Sequence, residues 1–452
     1  MSGGKDFDLI VIGGGSGGLA GALRAAGHGA RVALFEPGAL GGTCVNLGCV
    51  PKKAMWLAAQ LAHGIDTARA LGFGVPADAA LDWTRLLAQR EAYIADIRTA
   101  YAQRLSAAGI TVVPQRAQLD AAPGTVVCAD GTRLRARHIL LATGAHARRP
   151  DIPGAELGGV SDDFFALDRA PQRFAVIGAG YIGVELCGVL QALGTRCELF
   201  MRQARPLPGF DAEITARLAE SMQQAGIVLH PATEVTALRR AADGRIQVRA
   251  HAQVFDGFDH VLFAVGRAPN SAGLGLETAG VRLDARGRIE VDAWQDTSVA
   301  GIHAVGDVTP KPALTPHAIA AARRLMDRLF AGEAGAAARF EQIPTVVFSH
   351  PPLGKVGLTE AEARQLHGDE VVVVHADFRP MLHALAGSGQ RSLFKLVCHG
   401  PQRRVLGIHL LGEGCDEMLQ GFAVAMRLGL TLDALRETLA IHPTSAEEVV
   451  LA

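Results

Sequence analysis

Two cysteines that stand five positions apart have the spacing and the neighbours of a redox-active pair. Cys44 and Cys49 lie in residues 41–53, GGTCVNLGCVPKK, where glycines precede the first cysteine and a proline and two lysines follow the second. Side chains five positions apart point in different directions on an ideal α-helix. A disulfide, which needs Cα atoms within about 7 Å of each other, could therefore form here only across a loop or a distorted turn. Such a bond would be strained or exposed, and so easily reduced.

The same stretch favours a reactive thiolate at Cys49. Pro51 suits the first turn of a helix, which places Cys49 near a helix N-terminus with Lys52 close by. Both features lower the pKa of a thiol. The alternatives are two ordinary buried cysteines or half of a zinc site. A zinc site needs a second Cys/His pair at ligand spacing, and the closest later cysteine is Cys128, so we expect no metal.

Composition excludes several classes of function. The 452 residues suffice for roughly three domains at typical domain size. A net charge of -1 and 49% hydrophobic residues argue against nucleic acid, a membrane surface or disorder. Residues 9–27 are apolar, but their glycines cluster and Arg24 interrupts them, so we interpret them as strand, turn and helix. Seven scattered cysteines do not form a secreted disulfide framework, and we expect a cytoplasmic protein in which a disulfide would be catalytic.

A glycine-rich fingerprint near the N-terminus predicts a dinucleotide site. The apolar run 7–12 is typical of a buried parallel strand, and 13–18, GGGSGG, follows it directly. A helix and a second strand, 31–35, come next, and Glu36 ends that strand. The glycines allow a tight turn, close approach to a pyrophosphate and helix–strand packing, while the acid accepts from ribose hydroxyls. The candidate residues are Gly13, Gly15, Ser16, Gly17, Gly18 and Glu36.

A second fingerprint repeats this plan. A strand at 173–177 leads into 178–183, GAGYIG, with Glu185 in the first turn of the next helix. The acid is absent here, because Met201 and Arg202 stand where a site for NAD would have Asp or Glu. Arg202 and Arg205 could meet a 2′-phosphate, or could belong to a solvated loop. Two fingerprints imply two nucleotides, and the second set of candidates is Gly178, Gly180, Gly183, Glu185, Arg202 and Arg205.

Other segments complete the predicted elements. The runs 138–144 and 261–267 echo each other as buried strands that end in small or polar residues. Residues 302–305 would deliver Asp307 to a strand end, where it could meet a ribityl chain or serve as a turn aspartate. We expect an irregular connection at 64–76 and a long helix at 83–109.

A histidine and a glutamate near the end of the chain could form an acid/base pair. His442 and Glu447 are five residues apart, and a loop-to-helix geometry would let the carboxylate orient the imidazole. The structural alternative is a capping box in which Thr444 and Glu447 open a short helix.

With these pieces in place, the chain resembles the class I flavoprotein disulfide reductases over essentially its whole length. The most specific pieces are 41–56, 343–360, 416–425 and the terminal HPTSAEE, residues 442–448. The resemblance implies an α/β fold with two Rossmann-like dinucleotide-binding domains, for FAD and NAD(P), and an α+β C-terminal dimerisation domain. The implied domains are 1–149 for FAD and the cysteine pair, 150–268 for NAD(P)H, 269–339 completing the FAD site, and 340–452 for dimerisation.

The resemblance also implies roles for individual residues. Cys49 would face the flavin and Cys44 would attack the substrate, while Lys52 and Glu185 would pair beside the flavin N5. Tyr181 would cover the nicotinamide pocket. His442 and Glu447 would come from the partner subunit of a homodimer. Further positions implied to contact FAD or NAD(P)H are Thr43, Lys52, Thr143, Gly144, Gly266, Arg267, Asp307 and Thr315, and those implied to contact substrate are Tyr101, Arg104 and Arg323.

Among these enzymes the chain is most similar to those that reduce glutathione disulfide with NADPH. Dihydrolipoamide dehydrogenases are a further alternative, although they usually have Pro-Ser-Lys where this chain has Pro51-Lys52-Lys53. Three departures keep NADH and glutathione amide disulfide open as well. Gly183 is often alanine in the NADPH enzymes, Pro208 replaces a phosphate-binding arginine, and Leu23 replaces an arginine that binds a glutathione carboxylate. Arg24, Arg104 or Arg323 could compensate for Leu23.

Overall fold

The computed structural model describes residues 6–76, 78–333 and 341–452. The chain divides into two compact units, each described by itself. Within the described residues, unit 1 comprises 6–52, 87–148 and 266–333, and unit 2 comprises 53–86, 149–265 and 341–452. The predicted boundary at 339–340 lies outside the described residues, and the division into four domains stays a prediction.

The strands alternate with helices through the first part of the chain. The strands are β1 (Asp6–Ile12), β2 (Val32–Phe35), β3 (Thr111–Val113), β4 (Ala117–Leu119), β5 (Thr125–Cys128), β6 (Arg133–Leu141), β7 (Ala145–Ala147), β8 (Gly159–Val160), β9 (Arg173–Ile177), β10 (Arg196–Phe200), β11 (Val228–His230), β12 (Ala237–Arg240), β13 (Ile246–Ala250), β14 (Gln253–Phe258), β15 (His260–Phe263), β16 (Arg267–Pro269), β17 (Ile302–Ala304), β18 (Thr345–Val347), β19 (Leu353–Gly357), β20 (Val371–Phe378), β21 (Ser392–His399) and β22 (Arg404–Leu411).

The helices vary from single turns to long elements. They are α1 (Ser16–Gly27), α2 (Gly42–Asn46), α3 (Cys49–Ala70), α4 (Trp83–Ala107), α5 (Ser161–Phe165), α6 (Tyr181–Ala192), α7 (Ala212–Gln224), α8 (Leu276–Ala279), α9 (Thr315–Ala331), α10 (Glu360–His367), α11 (Met381–Leu385), α12 (Cys415–Arg427), α13 (Leu432–Glu437) and α14 (Glu447–Val450). None of the helices in the described part of the chain is long and apolar enough to span a bilayer.

Unit 1 is built on one sheet in the order β3-β2-β1-β6-β5-β4, with β17 also paired to β6. Strands β2, β1, β6 and β17 run parallel, so their carboxyl ends meet at one edge. At that edge Ile12 pairs with Phe35 and Leu141, and Leu141 pairs with Ala304. Every residue of β2 is buried, as expected for a strand of a parallel sheet that is covered on both faces.

Unit 2 contains a second parallel sheet, in the order β11-β10-β9-β15-β8, beside a three-stranded antiparallel sheet β12-β13-β14. A five-stranded antiparallel sheet, β18-β19-β22-β21-β20, carries α12 against it, with Phe394, Ile408 and Leu419 in its core. The prediction of two Rossmann-like folds and an α+β C-terminal part is confirmed. The predicted irregular connection at 64–76 was wrong in part, because α3 continues through Gly64 to Ala70.

A buried lysine is the centre of an ionic cluster in unit 2. Lys395, on β21, is 2% exposed. Its Nζ lies 3.0 Å from Asp211 Oδ1, 3.0 Å from Glu213 Oε2 and 2.7 Å from Glu360 Oε2. Burial alone would lower the pKa of Lys395, but the hydrogen bonds to these carboxylates raise it above its ordinary value. The cluster ties β21 to the beginnings of α7 and α10.

Removing the charge of Lys395 should destabilise the protein strongly. Lys395→Met leaves Asp211, itself 2% exposed, without its counterion, and we expect a loss of about 3–5 kcal/mol in the free energy of unfolding. Urea denaturation at pH 7 measures this loss. The control is Arg364→Met, because Arg364 bonds Glu360 from a side chain that is 44% exposed and should cost about 0.5 kcal/mol or less. Equal losses in the two variants would contradict the prediction.

Candidate active site

The two cysteines lie on a short loop whose backbone rests directly on the first fingerprint. Cys44 is on α2, and Cys49 is the first residue of α3. Gly41 has φ +103°, and its amide donates to the carbonyl of Gly14 at 2.9 Å. A Cβ atom added to Gly42 would lie 2.7 Å from the Cα atom of Gly15. This contact requires glycine at 42, so the loop that carries the thiols is held beside the nucleotide-binding turn.

Cys44 and Cys49 are free thiols rather than a disulfide, and the two thiols are hydrogen-bonded to each other. That hydrogen bond lowers the pKa of Cys44 to about 6, against the opposing effect of burial, and Thr315 and Ser16 also lower it. The same bond raises the pKa of Cys49 well above its ordinary value, and burial adds to the rise. Thr315 and, as expected from sequence, Lys52 lower the pKa of Cys49. Their effect is smaller than the rise caused by the hydrogen bond and by burial. The two thiols therefore titrate as a coupled pair, in which their hydrogen bond favours a thiolate at Cys44 and a proton on Cys49, and the reactive thiolate predicted at Cys49 stays a prediction.

The first fingerprint forms a cradle that fits a dinucleotide. A Cβ atom on Gly18 would lie 1.8 Å from the carbonyl oxygen of Gly13, whose own φ is +109°. Gly15 caps α1, and Ser16 and Gly17 open it, so its free backbone amides face the turn. Backbone packing thus requires glycine at positions 13 and 18, two of the positions that were predicted from sequence.

Glu36, at the end of β2, is fixed by this cradle. Its Oε2 accepts from the amide of Gly14 at 2.7 Å and its Oε1 from the amide of Gly38 at 2.8 Å. The carboxylate is therefore held beside the fingerprint turn, where the sequence had predicted a ribose-binding acid.

Further predicted residues gather at the same edge of unit 1. Asp307 follows β17, and burial raises the pKa of its carboxyl, while Arg267, 3.7 Å away, acts in the opposite direction. The hydroxyl of Thr143 donates to the carbonyl of Asn270 at 2.8 Å, so it also braces the loop that leads into β7. The other positions predicted here are Thr43 on α2, Lys52 on the first turn of α3, Gly144 after β6, Gly266 before β16 and Thr315 at the start of α9.

The second fingerprint in unit 2 has the same geometry as the first. Gly178 has φ +107°, and Gly180 caps α6. A Cβ atom on Gly183 would lie 2.0 Å from the carbonyl oxygen of Gly178. Glycine at 183 is therefore demanded by the packing of this turn, and its presence is not by itself a marker of coenzyme choice.

The loop after β10 is basic and carries no acid at the position that would bind a ribose. Arg202 and Arg205 are exposed, and neither forms an ion pair with any described residue. The closest acid in sequence, Glu198 on β10, is buried and bonds Arg173 and His230 instead. This arrangement fits a phosphate better than a ribose with free hydroxyls.

Tyr181 and Glu185 lie on α6 as predicted. Tyr181 opens the helix and is 48% exposed, whereas Glu185 is 4% exposed. Glu185 Oε1 accepts from the amide of Phe348 at 2.9 Å. Lys52 belongs to unit 1, and its pairing with Glu185 stays a prediction.

His442 and Glu447 form the hydrogen-bonded pair that their spacing had indicated. His442 Nδ1 lies 2.9 Å from Glu447 Oε2, and the histidine side chain is 79% exposed. The capping alternative holds in part. The Thr444 amide donates to Glu447 Oε1 at 3.3 Å, but the Thr444 hydroxyl donates to the carbonyl of Ile441 and α14 begins only at Glu447. Leu439, which is 93% exposed, and Ile441, which is 76% exposed, lie close by in sequence, so this segment has the character of an interface.

The residues predicted to contact substrate differ in their surroundings. Tyr101 packs in an apolar cluster of unit 1 with Leu23 and Leu40, whereas Arg104 and Arg323 are exposed. Arg24 cannot compensate for Leu23, because its guanidinium is paired with Asp327.

Sequence reasoning missed one arginine at this site. Arg98 Nε donates to Asn46 Oδ1 at 2.6 Å, on the loop between the two cysteines. The available signal was that Arg98 precedes Tyr101 by three positions on the same helix.

Comparisons with known proteins agree with this geometry along nearly the whole chain. Residues 7–322 match the family described as pyridine nucleotide-disulphide oxidoreductase, and residues 343–452 match its dimerisation domain. The chain is 43% identical over 458 residues to a glutathione reductase of Schizosaccharomyces pombe, covering 99% of this chain and 98% of the relative. It is 41% identical over 461 residues to a glutathione reductase of Yarrowia lipolytica, covering 98% of each.

The ionisation order of the thiols can be measured by alkylation. In the reduced protein, iodoacetamide should modify Cys44 about tenfold faster at pH 7 than at pH 5, because the pKa of about 6 makes thiolate predominant above that pH. Cys49→Ala removes the hydrogen-bond donor, so the midpoint should move up towards the ordinary thiol value of about 8.5. Peptide mapping by mass spectrometry identifies the modified cysteine. A midpoint near 8.5 in the unaltered protein would contradict the assignment.

Proposed function

The chain belongs to the pyridine nucleotide-disulphide oxidoreductases, and we propose that within this family it reduces glutathione disulfide with NADPH. It is a flavoprotein disulfide oxidoreductase that uses FAD and a pyridine nucleotide. The observation that carries the proposal is the placement of Cys44 and Cys49 against the first fingerprint, in a chain that is 43% identical over nearly its full length to a glutathione reductase.

Each unit supplies the groups that one nucleotide needs. In unit 1, Gly13, Gly15 and Gly18 would hold the pyrophosphate of FAD, with Glu36 at a ribose and Asp307 at the ribityl chain. Bound FAD supplies a two-electron relay between a nicotinamide and the cysteine pair. In unit 2, the second fingerprint would hold the pyrophosphate of the nicotinamide nucleotide, and Tyr181 would cover the nicotinamide.

The two thiols have distinct tasks in the disulfide step. The Cys44 thiolate attacks one sulfur of glutathione disulfide, forms a mixed disulfide and releases one glutathione thiolate, which takes a proton from His442. Cys49 then attacks Cys44, which restores the Cys44–Cys49 disulfide and releases the second glutathione. The lowered pKa of Cys44 supports its role as the attacking group. Two electrons and a proton from NADPH, with one proton from solvent, balance each cycle.

Glu447 holds the imidazole of His442 in one orientation, and we place this pair in the active site of the partner subunit. A dimerisation domain at residues 343–452 and the exposed apolar residues beside the pair support this assignment. A homodimer would then contain two equivalent sites, each of which combines the cysteines of one subunit with the histidine of the other.

Coenzyme choice is proposed from the loop after β10. Arg202 and Arg205 are exposed and without ion-pair partners among the described residues, which suits a 2′-phosphate. Pro208 and Leu23 favour the second candidate, a reductase that prefers NADH or glutathione amide disulfide. Gly183 stays among the departures that favour the second candidate, although a Cβ atom there would lie 2.0 Å from the carbonyl oxygen of Gly178 in this turn.

Steady-state turnover tests the proposed function. NADPH and NADH are compared with glutathione disulfide, glutathione amide disulfide and lipoamide as acceptors. We expect fast oxidation of NADPH with glutathione disulfide, and no disulfide turnover in Cys44→Ser, which should still bind FAD and show a thiolate–flavin absorbance band from Cys49. Preference for NADH or for the amide would move the chain to the second candidate. Full activity in Cys44→Ser would overturn the role of that thiol.

Mixing subunits tests the shared active site. His442→Ala should slow the disulfide step by about 10²–10⁴-fold, the usual range for a lost acid/base group. Heterodimers of His442→Ala and Cys44→Ser, formed by co-expression with two affinity tags, should regain one intact site and about half the activity of the unaltered dimer. Heterodimers that stay as inactive as the two parents would show that each subunit uses its own histidine.

A further inference from the structure

We propose that Arg98 binds a carboxylate of the disulfide substrate, an inference that rests on the proposed reduction of glutathione disulfide. Glutathione disulfide is an anion with several carboxylates, while the protein has a net charge of only -1. Binding of such a substrate therefore depends on individual positively charged side chains at the site rather than on the electrostatic field of the whole protein.

Arg98 is attached to the loop that carries both thiols. Its Nε atom donates to Oδ1 of Asn46 at 2.6 Å. The amide nitrogen of the same asparagine donates to the carbonyl oxygens of Gly42 at 2.9 Å and Leu40 at 3.1 Å. The guanidinium of Arg98 is thus fixed beside the segment that begins two residues before Cys44.

The position of Arg98 on α4 places it on the buried side of the helix. Arg90, Ile94 and Leu105 are buried, and Arg98 and Tyr101 are half-buried at the intervening turns. Residues three apart on a helix are neighbours on its surface. Arg98 therefore lies one turn from Tyr101, which packs with Leu23 and Leu40 and was predicted to contact the substrate.

The charge of Arg98 lacks a carboxylate partner. No described residue forms an ion pair with Arg98, and the bond to Asn46 uses Nε alone. The two terminal nitrogens are therefore available as the fork that binds a carboxylate with two parallel hydrogen bonds. Many other arginines of unit 1 are already paired with acids; examples are Arg24 with Asp327, Arg133 with Asp120, Arg267 with Asp307, Arg282 with Glu290, Arg288 with Asp284 and Arg328 with Asp296.

Arg98 is better placed for this task than the two arginines predicted from sequence. Arg104 and Arg323 are exposed, so solvent and salt screen their attraction for an anion. Arg98 is half-buried and oriented by Asn46, which reduces both screening and the entropy lost when a ligand binds.

Steady-state kinetics of two variants and a control test the assignment. Arg98→Met should raise the KM for glutathione disulfide by about 10–100-fold, the effect of one lost charge-assisted hydrogen-bonded contact, while the KM for NADPH and the reduction of ferricyanide stay unchanged. Arg98→Lys keeps the charge but loses the two-nitrogen fork and the bond to Asn46, so it should recover only part of the loss. The matched control is Arg85→Met, an exposed arginine on the same helix, which should behave as the unaltered enzyme.

A second measurement separates carboxylate binding from mere positioning of the loop. In reduced holoenzyme, Arg98→Met should lower the rate of Cys44 alkylation by iodoacetate, an anion, several-fold relative to iodoacetamide, which is neutral. An equal fall for both reagents would overturn the proposal and leave Arg98 as a support for Asn46. If the unaltered enzyme does not reduce glutathione disulfide, the proposed function fails, and the alkylation ratio still decides whether Arg98 attracts a carboxylate to Cys44.

Discussion

The active site depends on one contact between two backbone segments, the redox loop at Gly42 and the fingerprint turn at Gly15. The distance of 2.7 Å from a Cβ atom on Gly42 to the Cα atom of Gly15 leaves no space for a side chain. Because α2 starts at this contact and α3 comes directly after it, the positions of Cys44 and Cys49 are set by the strands that carry the fingerprint. A side chain at position 42 would therefore disturb the fingerprint turn and the positions of the thiols together.

Both units contain a turn of the same geometry, with glycine at its first, third and sixth positions. A Cβ atom would meet a carbonyl oxygen at 1.8 Å on Gly18 and at 2.0 Å on Gly183, so both turns select glycine for one steric reason. The differences that could distinguish two nucleotides lie after the second strand of each unit. There, Glu36 is bound to its own fingerprint in unit 1, whereas Arg202 and Arg205 are exposed in unit 2. The residues that could distinguish the two nucleotides therefore lie outside the glycine turn that the two units share.

The fold could be predicted from sequence wherever local patterns fix it, and the site only in part. Strand–glycine–helix spacing located both fingerprints, and the long helix expected at 83–109 is present as α4. The helix α3 was underestimated because tertiary packing overrides the low helix propensity of Gly64. The bond from Arg98 to Asn46 joins residues 52 positions apart, and no local pattern encodes such a pair. Likewise, Arg24 is adjacent to Leu23 in sequence, yet its charge is taken by Asp327, 303 positions away.

The ionisation of the thiol pair also required the structure, because the dominant influence on each sulfur is the other. Lys52 and the helix end act on Cys49 as the sequence indicated, but the hydrogen bond to Cys44 outweighs them. This hydrogen bond lasts only while Cys44 is free to accept it. In the proposed disulfide step, a mixed disulfide at Cys44 would remove the largest cause of the raised pKa of Cys49 and would leave Thr315 and Lys52 acting against burial. The hydrogen bond between the thiols would thus couple the protonation of Cys49 to the state of Cys44.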